Sequence, residues 1–123
     1  MEAFLSTVLI ALVAALALSA ADASGRWSGT YSSDSGDSGS AYVILKQSGS
    51  TITGTGGPDA GEQWPLTNGK ITGNKVTGEV KNPNGTVYKI ELTLEGDSLK
   101  GPIVVTMPDG RSEKARLEFT RVK

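Results

Sequence analysis

Residues 86–122 read TVYKIELTLEGDSLKGPIVVTMPDGRSEKARLEFTRV, and their alternation decides the fold. Tyr88, Ile90, Leu92 and Leu94 fall on one face of an extended chain, with Lys89 and Glu91 on the other. Leu99, Ile103 and Val105 repeat the pattern, and Ala115, Leu117 and Phe119 repeat it again beside Arg116 and Glu118. A period of two means strands with one buried and one wet face, as in antiparallel sheet. Gly96-Asp97 and Pro108-Asp109-Gly110 separate the three segments. Each is a hairpin turn with a cause: proline presets φ, and glycine accepts positive φ.

Upstream the same grammar continues. Eight strands are expected, over Arg26–Tyr31, Ala41–Gln47, Thr51–Thr55, Gln63–Ile71, Lys75–Lys81, Thr86–Leu94, Ser98–Met107 and Glu113–Val122. In the fourth, Leu66 and Ile71 share a face only if Asn68-Gly69 forms a bulge. In the second, either Val43 and Leu45 or Tyr42 and Ile44 point inward. Pro58-Asp59-Ala60-Gly61, Pro83-Asn84-Gly85 and Pro108-Asp109-Gly110 recur with their prolines evenly spaced, and the tighter turns Ser48-Gly49-Ser50, Gly73-Asn74 and Gly96-Asp97 lie between. A meander puts the two turn classes at opposite ends. The proline turns join a Ser/Gly/Asp-rich loop, Ser32–Ser40, at one end, and the chain termini join the tight turns at the other. The expected fold is all-β, an eight-stranded antiparallel up-and-down barrel, with a two-sheet sandwich as the alternative.

Phe4 to Ala21 is apolar apart from Ser6, Thr7 and Ser19, and Ala21-Asp22-Ala23 offers small residues for a cleavage site. Residues 1–23 are therefore expected to be a signal peptide. Residues 24–123 form the single barrel domain, secreted or periplasmic. Met1–Leu5 contains no basic residue, and a run of about 18 apolar residues can span a bilayer. A membrane partner is expected only if this segment is uncleaved.

The chain has no cysteine and no histidine. Disulfides, thiol nucleophiles, histidine-based triads and the usual zinc sites are excluded. With 12 Lys+Arg against 13 Asp+Glu, the chain is no polybasic nucleic-acid binder.

The two ends of the domain carry a resemblance. Gly25-Arg26-Trp27 opens the first strand and Phe119-Thr120-Arg121 closes the last, and Gly29-Thr30-Tyr31 and Thr53-Gly54-Thr55 extend the likeness. This resembles the calycin pattern of lipocalins and avidins, and also small secreted bacterial domains that begin G-x-W-x-G. The resemblance implies that Trp27 plugs the closed end of the barrel and that Arg121 covers its ring. Such a cation–π contact contributes roughly 0.5–2 kcal/mol. The tryptophan-rich pocket of the biotin binders is not matched, since only Trp27 and Trp64 are present.

Several motifs reduce to simpler readings. Gly36-Asp37-Ser38-Gly39 matches the nucleophile segment of trypsin-like proteases, but no histidine exists to act as base. Asp34 and Asp37 do not follow calcium-loop spacing, and no metal or other cofactor is expected. Asn84-Gly85-Thr86 has the form of a glycosylation acceptor, and its first two residues are already explained as a turn.

The aromatics are the better lead. Tyr31, Trp64 and Tyr88 fall near the proline-turn end, with Tyr42 beside them if the second strand starts at Ala41. That end is the barrel mouth. Asp34, Asp37, Asp59, Glu62 and Asp109 surround it against Lys81 and Arg111. An aromatic rim with an acidic fringe suits a planar or sugar-like small ligand, including a cationic one. Rim aromatics are equally what packing alone places at a barrel end. Gly29, Gly78 and Gly101 fall on the inward alternation and signal either bending or space.

The expected function is an exported non-enzymatic binding module. Its ligand site is Tyr31, Tyr42, Trp64 and Tyr88, with Asp34, Asp37, Asp59 and Arg111 at the rim, and Trp27 and Arg121 are structural. The alternative is a protein-binding or inhibitor module with a packed barrel, using the Ser32–Ser40 loop or an exposed strand face. A carboxylate-dependent enzyme is the third reading.

Overall fold

The computed structural model describes residues 22–123, so residues 1–21, most of the expected signal peptide, lie outside the described residues. The strands are β1 (Gly25–Ser33), β2 (Ser38–Ser48), β3 (Thr51–Asp59), β4 (Glu62–Thr72), β5 (Lys75–Lys81), β6 (Val87–Glu95), β7 (Ser98–Thr106) and β8 (Ser112–Arg121). They pair in sequence order around a closed antiparallel barrel. β8 returns to β1, in register from Trp27↔Arg121 to Ser33↔Ala115. The architecture is a calycin-like meander barrel, not a sandwich, and closure removes the edges that invite aggregation.

Two expectations about local structure are corrected. Ser32–Ser40 is not a long loop. β1 runs on to Ser33 and β2 begins at Ser38, leaving a short turn closed by the Ser33 N–H donating to the Asp37 carbonyl at 2.8 Å. The cause is pairing on both sides: Ser32 faces Ser38 on β2 and Arg116 on β8, so the backbone is satisfied as strand. β3 likewise continues past Thr55 through Gly56-Gly57-Pro58 to Asp59, and its turn shrinks to Ala60-Gly61. Pro58 is tolerated because the β3–β4 ladder is already irregular between Gly56 and Asp59.

The β4 bulge lies where the sequence asks for it. Register shifts by one residue between Thr67 and Lys70, and Asn68 takes φ 54°. Leu66 then faces Val80 and Ile71 faces Val76, so both point inward. In β2 the inward set is Ala41, Val43 and Leu45, all buried, while Tyr42 and Ile44 occupy the outer alternation.

The end carrying the tight turns is packed solid. Trp27 and Leu99 are wholly buried, with Ile52, Val76, Leu94 and Ile71 around them. Burying each such side chain stabilises by about 1.5–3 kcal/mol. The Trp27 indole N–H donates to the Ala23 carbonyl at 3.0 Å. The Arg121 guanidinium lies 4.3 Å from the ring centroid. It donates to Asp97 Oδ1 at 3.0 Å, to the Asp22 carbonyl at 3.0 Å and to the Ser24 carbonyl. Ring and guanidinium thus meet at the end that carries the tight turns.

The inward glycines are close approaches, not gaps. A Cβ at Gly29 would lie 1.8 Å from the Glu118 carbonyl oxygen, and one at Gly101 would lie 2.4 Å from that of Glu91. A Cβ at Gly78 would meet Leu66 Cδ1 at 2.8 Å.

Candidate ligand-binding site

Above the packed floor the barrel is open. A cavity of about 350 Å³ occupies the mouth half. Its deep wall is Val43, Leu45, Leu92, Leu117 and Phe119, and its sides are Leu66, Val80, Ile90 and Ile103. Tyr31, Trp64 and Tyr88 line it while remaining half-exposed, and Ser40, which is exposed, also contributes. The cavity therefore reaches the surface at the mouth. Its volume lies at the lower end of the roughly 300–1,000 Å³ typical of small-molecule sites.

The alternation explains the lining. Tyr31 follows Trp27 and Gly29 on the inner face of β1, and Tyr88 precedes Ile90 and Leu92 on that of β6. Trp64 faces Gly56 across the β3–β4 pair, two residues before inward Leu66. Large side chains fill the floor half, whereas Gly56 on β3 contributes no side chain at the mouth. A Cβ there would lie 3.2 Å from Val43 Cγ1, tighter than ordinary contact, and 3.5 Å from Val80 Cγ2, so Gly56 lets two lining side chains close over the strand.

The sequence-expected residues fall into three groups. Tyr31, Trp64 and Tyr88 converge on the cavity. Tyr42 stands on the outer alternation of β2, and its carbonyl accepts a hydrogen bond from Gln63 Nε2 at 2.9 Å. Asp34, Asp37, Asp59 and Arg111 are exposed at the mouth turns and do not line the cavity. Asp59 Oδ1 accepts the N–H groups of Gly61 and Glu62, both at 2.9 Å, closing its own turn. Arg111 Nε donates to Asp109 Oδ2 at 2.8 Å.

Gln63 is a residue that sequence reasoning did not single out. Its amide donates to the Tyr42 and Asp59 carbonyls, each at 2.9 Å, while its Oε1 accepts from Thr55 Oγ1 at 2.7 Å. These side-chain bonds replace ladder bonds that the irregular β3–β4 pair does not make. They hold one wall of the cavity. A glutamine just after a turn carries no pattern that announces such a role.

Electrostatically the cavity wall is neutral, since no Asp, Glu, Lys or Arg lines it. The rim is not. Partial burial, followed by the charge of Glu113, the Tyr88 phenol and the charge of Asp37, raises the Tyr31 hydroxyl above its usual 10.0. Tyr31 thus remains a neutral phenol at the entrance. Among the described residues no group of three or more acidic side chains is placed to hold a metal ion.

No family model and no curated protein sequence matches the chain. Solved structures do. One is EF1p2_mFAP2b bound to DFHBI, with a TM-score of 0.61 and 14% identity over 80% of this chain and 93% of that one. Another is the bradavidin2–biotin complex, with a TM-score of 0.58 and 15% identity over 77% of this chain and 96% of that one. Both similarities are of fold, and they agree with the calycin-like barrel.

Proposed function

We propose that the chain is an exported, non-enzymatic binding module that holds one small, planar, largely apolar ligand in the mouth half of the barrel. The observation that carries this reading is the cavity of about 350 Å³ with an apolar wall and an aromatic entrance. The neighbours in fold were solved with biotin and with DFHBI, which supports small-ligand binding by a barrel of this shape. Of the two ligand classes suggested by the rim, the lining favours the planar one. A buried sugar hydroxyl without a partner costs on the order of 1–3 kcal/mol, and the deep wall offers none. The acids near Tyr31 and around the mouth favour a neutral or cationic ligand over an anion. The rival protein-binding reading needs a packed barrel and uses the Ser32–Ser40 loop or an exposed strand face; the cavity weighs against the first and the short turn against the loop. With no carboxylate on the wall, turnover has little to build on.

The test is dye binding by the purified domain, using neutral Nile red, cationic thioflavin T and anionic anilinonaphthalene sulfonate. The first two are expected to bind more tightly than the third. Trp64→Ala should weaken binding about 30-fold, equivalent to a contact of ~2 kcal/mol, with an unchanged far-UV spectrum. Equal affinity in that variant would remove the mouth as the site.

A further inference from the structure

The residues ahead of β1 are built into the floor. Ala23 is wholly buried. Its N–H donates to Gln47 Oε1 at 2.9 Å, and its carbonyl accepts the Trp27 indole N–H. The Asp22 carbonyl accepts from Arg121 Nη2, and the Ser24 carbonyl accepts from Nη1. Asp22 Oδ1 also accepts the Ser24 N–H at 3.0 Å, and Ser24 Oγ accepts the Gln47 N–H at 2.9 Å. The bonds from the Ser24 N–H and hydroxyl hold the Asp22 carboxyl below its usual 3.8. Without Asp22 and Ala23, the buried indole N–H of Trp27 loses its acceptor, and the guanidinium loses one of its three partners.

The bonds at either end of the Asp22-Ala23 segment satisfy the small-residue rule for leader removal; Ser19–Ala20, with Ala17 and Ser19, satisfies it too but lies within the apolar run itself. The Ala23–Ser24 bond has Ala21 and Ala23 at the −3 and −1 positions, and the Ala21–Asp22 bond has Ser19 and Ala21 there. The fold separates them. A cut after Ala23 discards part of the floor and leaves a new ammonium on Ser24, whose carbonyl is bonded to the Arg121 guanidinium. A cut before Asp22 keeps every floor contact described above and leaves the new ammonium on an exposed residue.

We infer that the processing site is the Ala21–Asp22 bond, so that the mature protein begins at Asp22 and carries its own floor residues. This rests on the export reading, in which residues 1–21 are a removable leader.

Expression of the full chain in a bacterial secretion host, followed by intact-mass measurement of the exported protein, tests it. A mass matching residues 22–123 is expected. A product beginning at Ser24, or at any other residue, overturns the assignment while leaving the leader reading in place. A chain that keeps residues 1–21 sinks the leader reading itself and the assignment with it. Deleting Asp22 and Ala23 from the full chain leaves Ser19 and Ala21 at the same cleavage positions. That product should melt about 5 °C or more below the parent. Equal melting temperatures would overturn the floor role on which the choice of bond depends.

Discussion

At the level of single residues, the barrel is most exacting where backbones touch. Gly29 sits on the seam between the first and last strands, facing Ala41 and Phe119. With a Cβ 1.8 Å from the Glu118 carbonyl, no small adjustment relieves the clash. Gly29→Ala is expected to cost about 3 kcal/mol or more in urea unfolding, because the closing strand pair must part. Gly39, with nothing within 4 Å of its Cβ position, is the control. Gly39→Ala should change stability by no more than about 1 kcal/mol. Tyr31 supplies a pH signature. Its folded-state value is raised, so the folded protein holds this proton more tightly than the unfolded chain does. The resulting stability is fully present below pH 10.0, the ordinary tyrosine value, and is lost as pH rises through the raised one. Unfolding midpoints measured up to about pH 12 should fall above that threshold. Tyr31→Phe should show a shallower decline, and identical slopes would remove this assignment.

At the level of elements, the β3–β4 hairpin differs from the rest. Its register breaks twice, Pro65 can donate no ladder bond, and the Gln63 side chain supplies bonds in place of backbone ones. Gln63→Ala should speed amide exchange across residues 56–64 by roughly tenfold, while amides of Leu92 and Leu99 keep their protection. If exchange rises equally throughout the barrel, the hairpin is not a separate unit. This element was also the hardest to read from sequence. Gly56-Gly57-Pro58 has turn composition, and nothing local reveals that Gly57 runs so close to the Glu62 carbonyl that a Cβ would lie 1.9 Å from it. The strands β6 to β8 were legible because each alternates cleanly between wet and buried positions. In β2 four apolar residues run consecutively, Tyr42-Val43-Ile44-Leu45, so only the opposing Trp27 and Gly56 decide which pair turns inward.

At the level of the whole molecule, the barrel divides into a plugged half and a hollow half. The plug was legible through the resemblance, which pairs Trp27 with Arg121. The hollow was not, because an eight-stranded interior is marginal between filled and empty. Whether space remains depends on summed side-chain volumes and on local approaches such as that of Gly29, and periodicity reports neither. Tyr31, Trp64 and Tyr88 are legible from their distance to the turns, whereas the deep wall has only the pattern of core. The Val122 N–H donates to the Arg26 carbonyl at 2.8 Å, so the two ends of the described chain leave side by side, opposite the mouth. A fusion or surface tether at either end would leave the mouth unobstructed. A short linker from Lys123 back to Asp22, with a new break at an exposed mouth turn, gives a circular permutant that keeps all eight strand pairings.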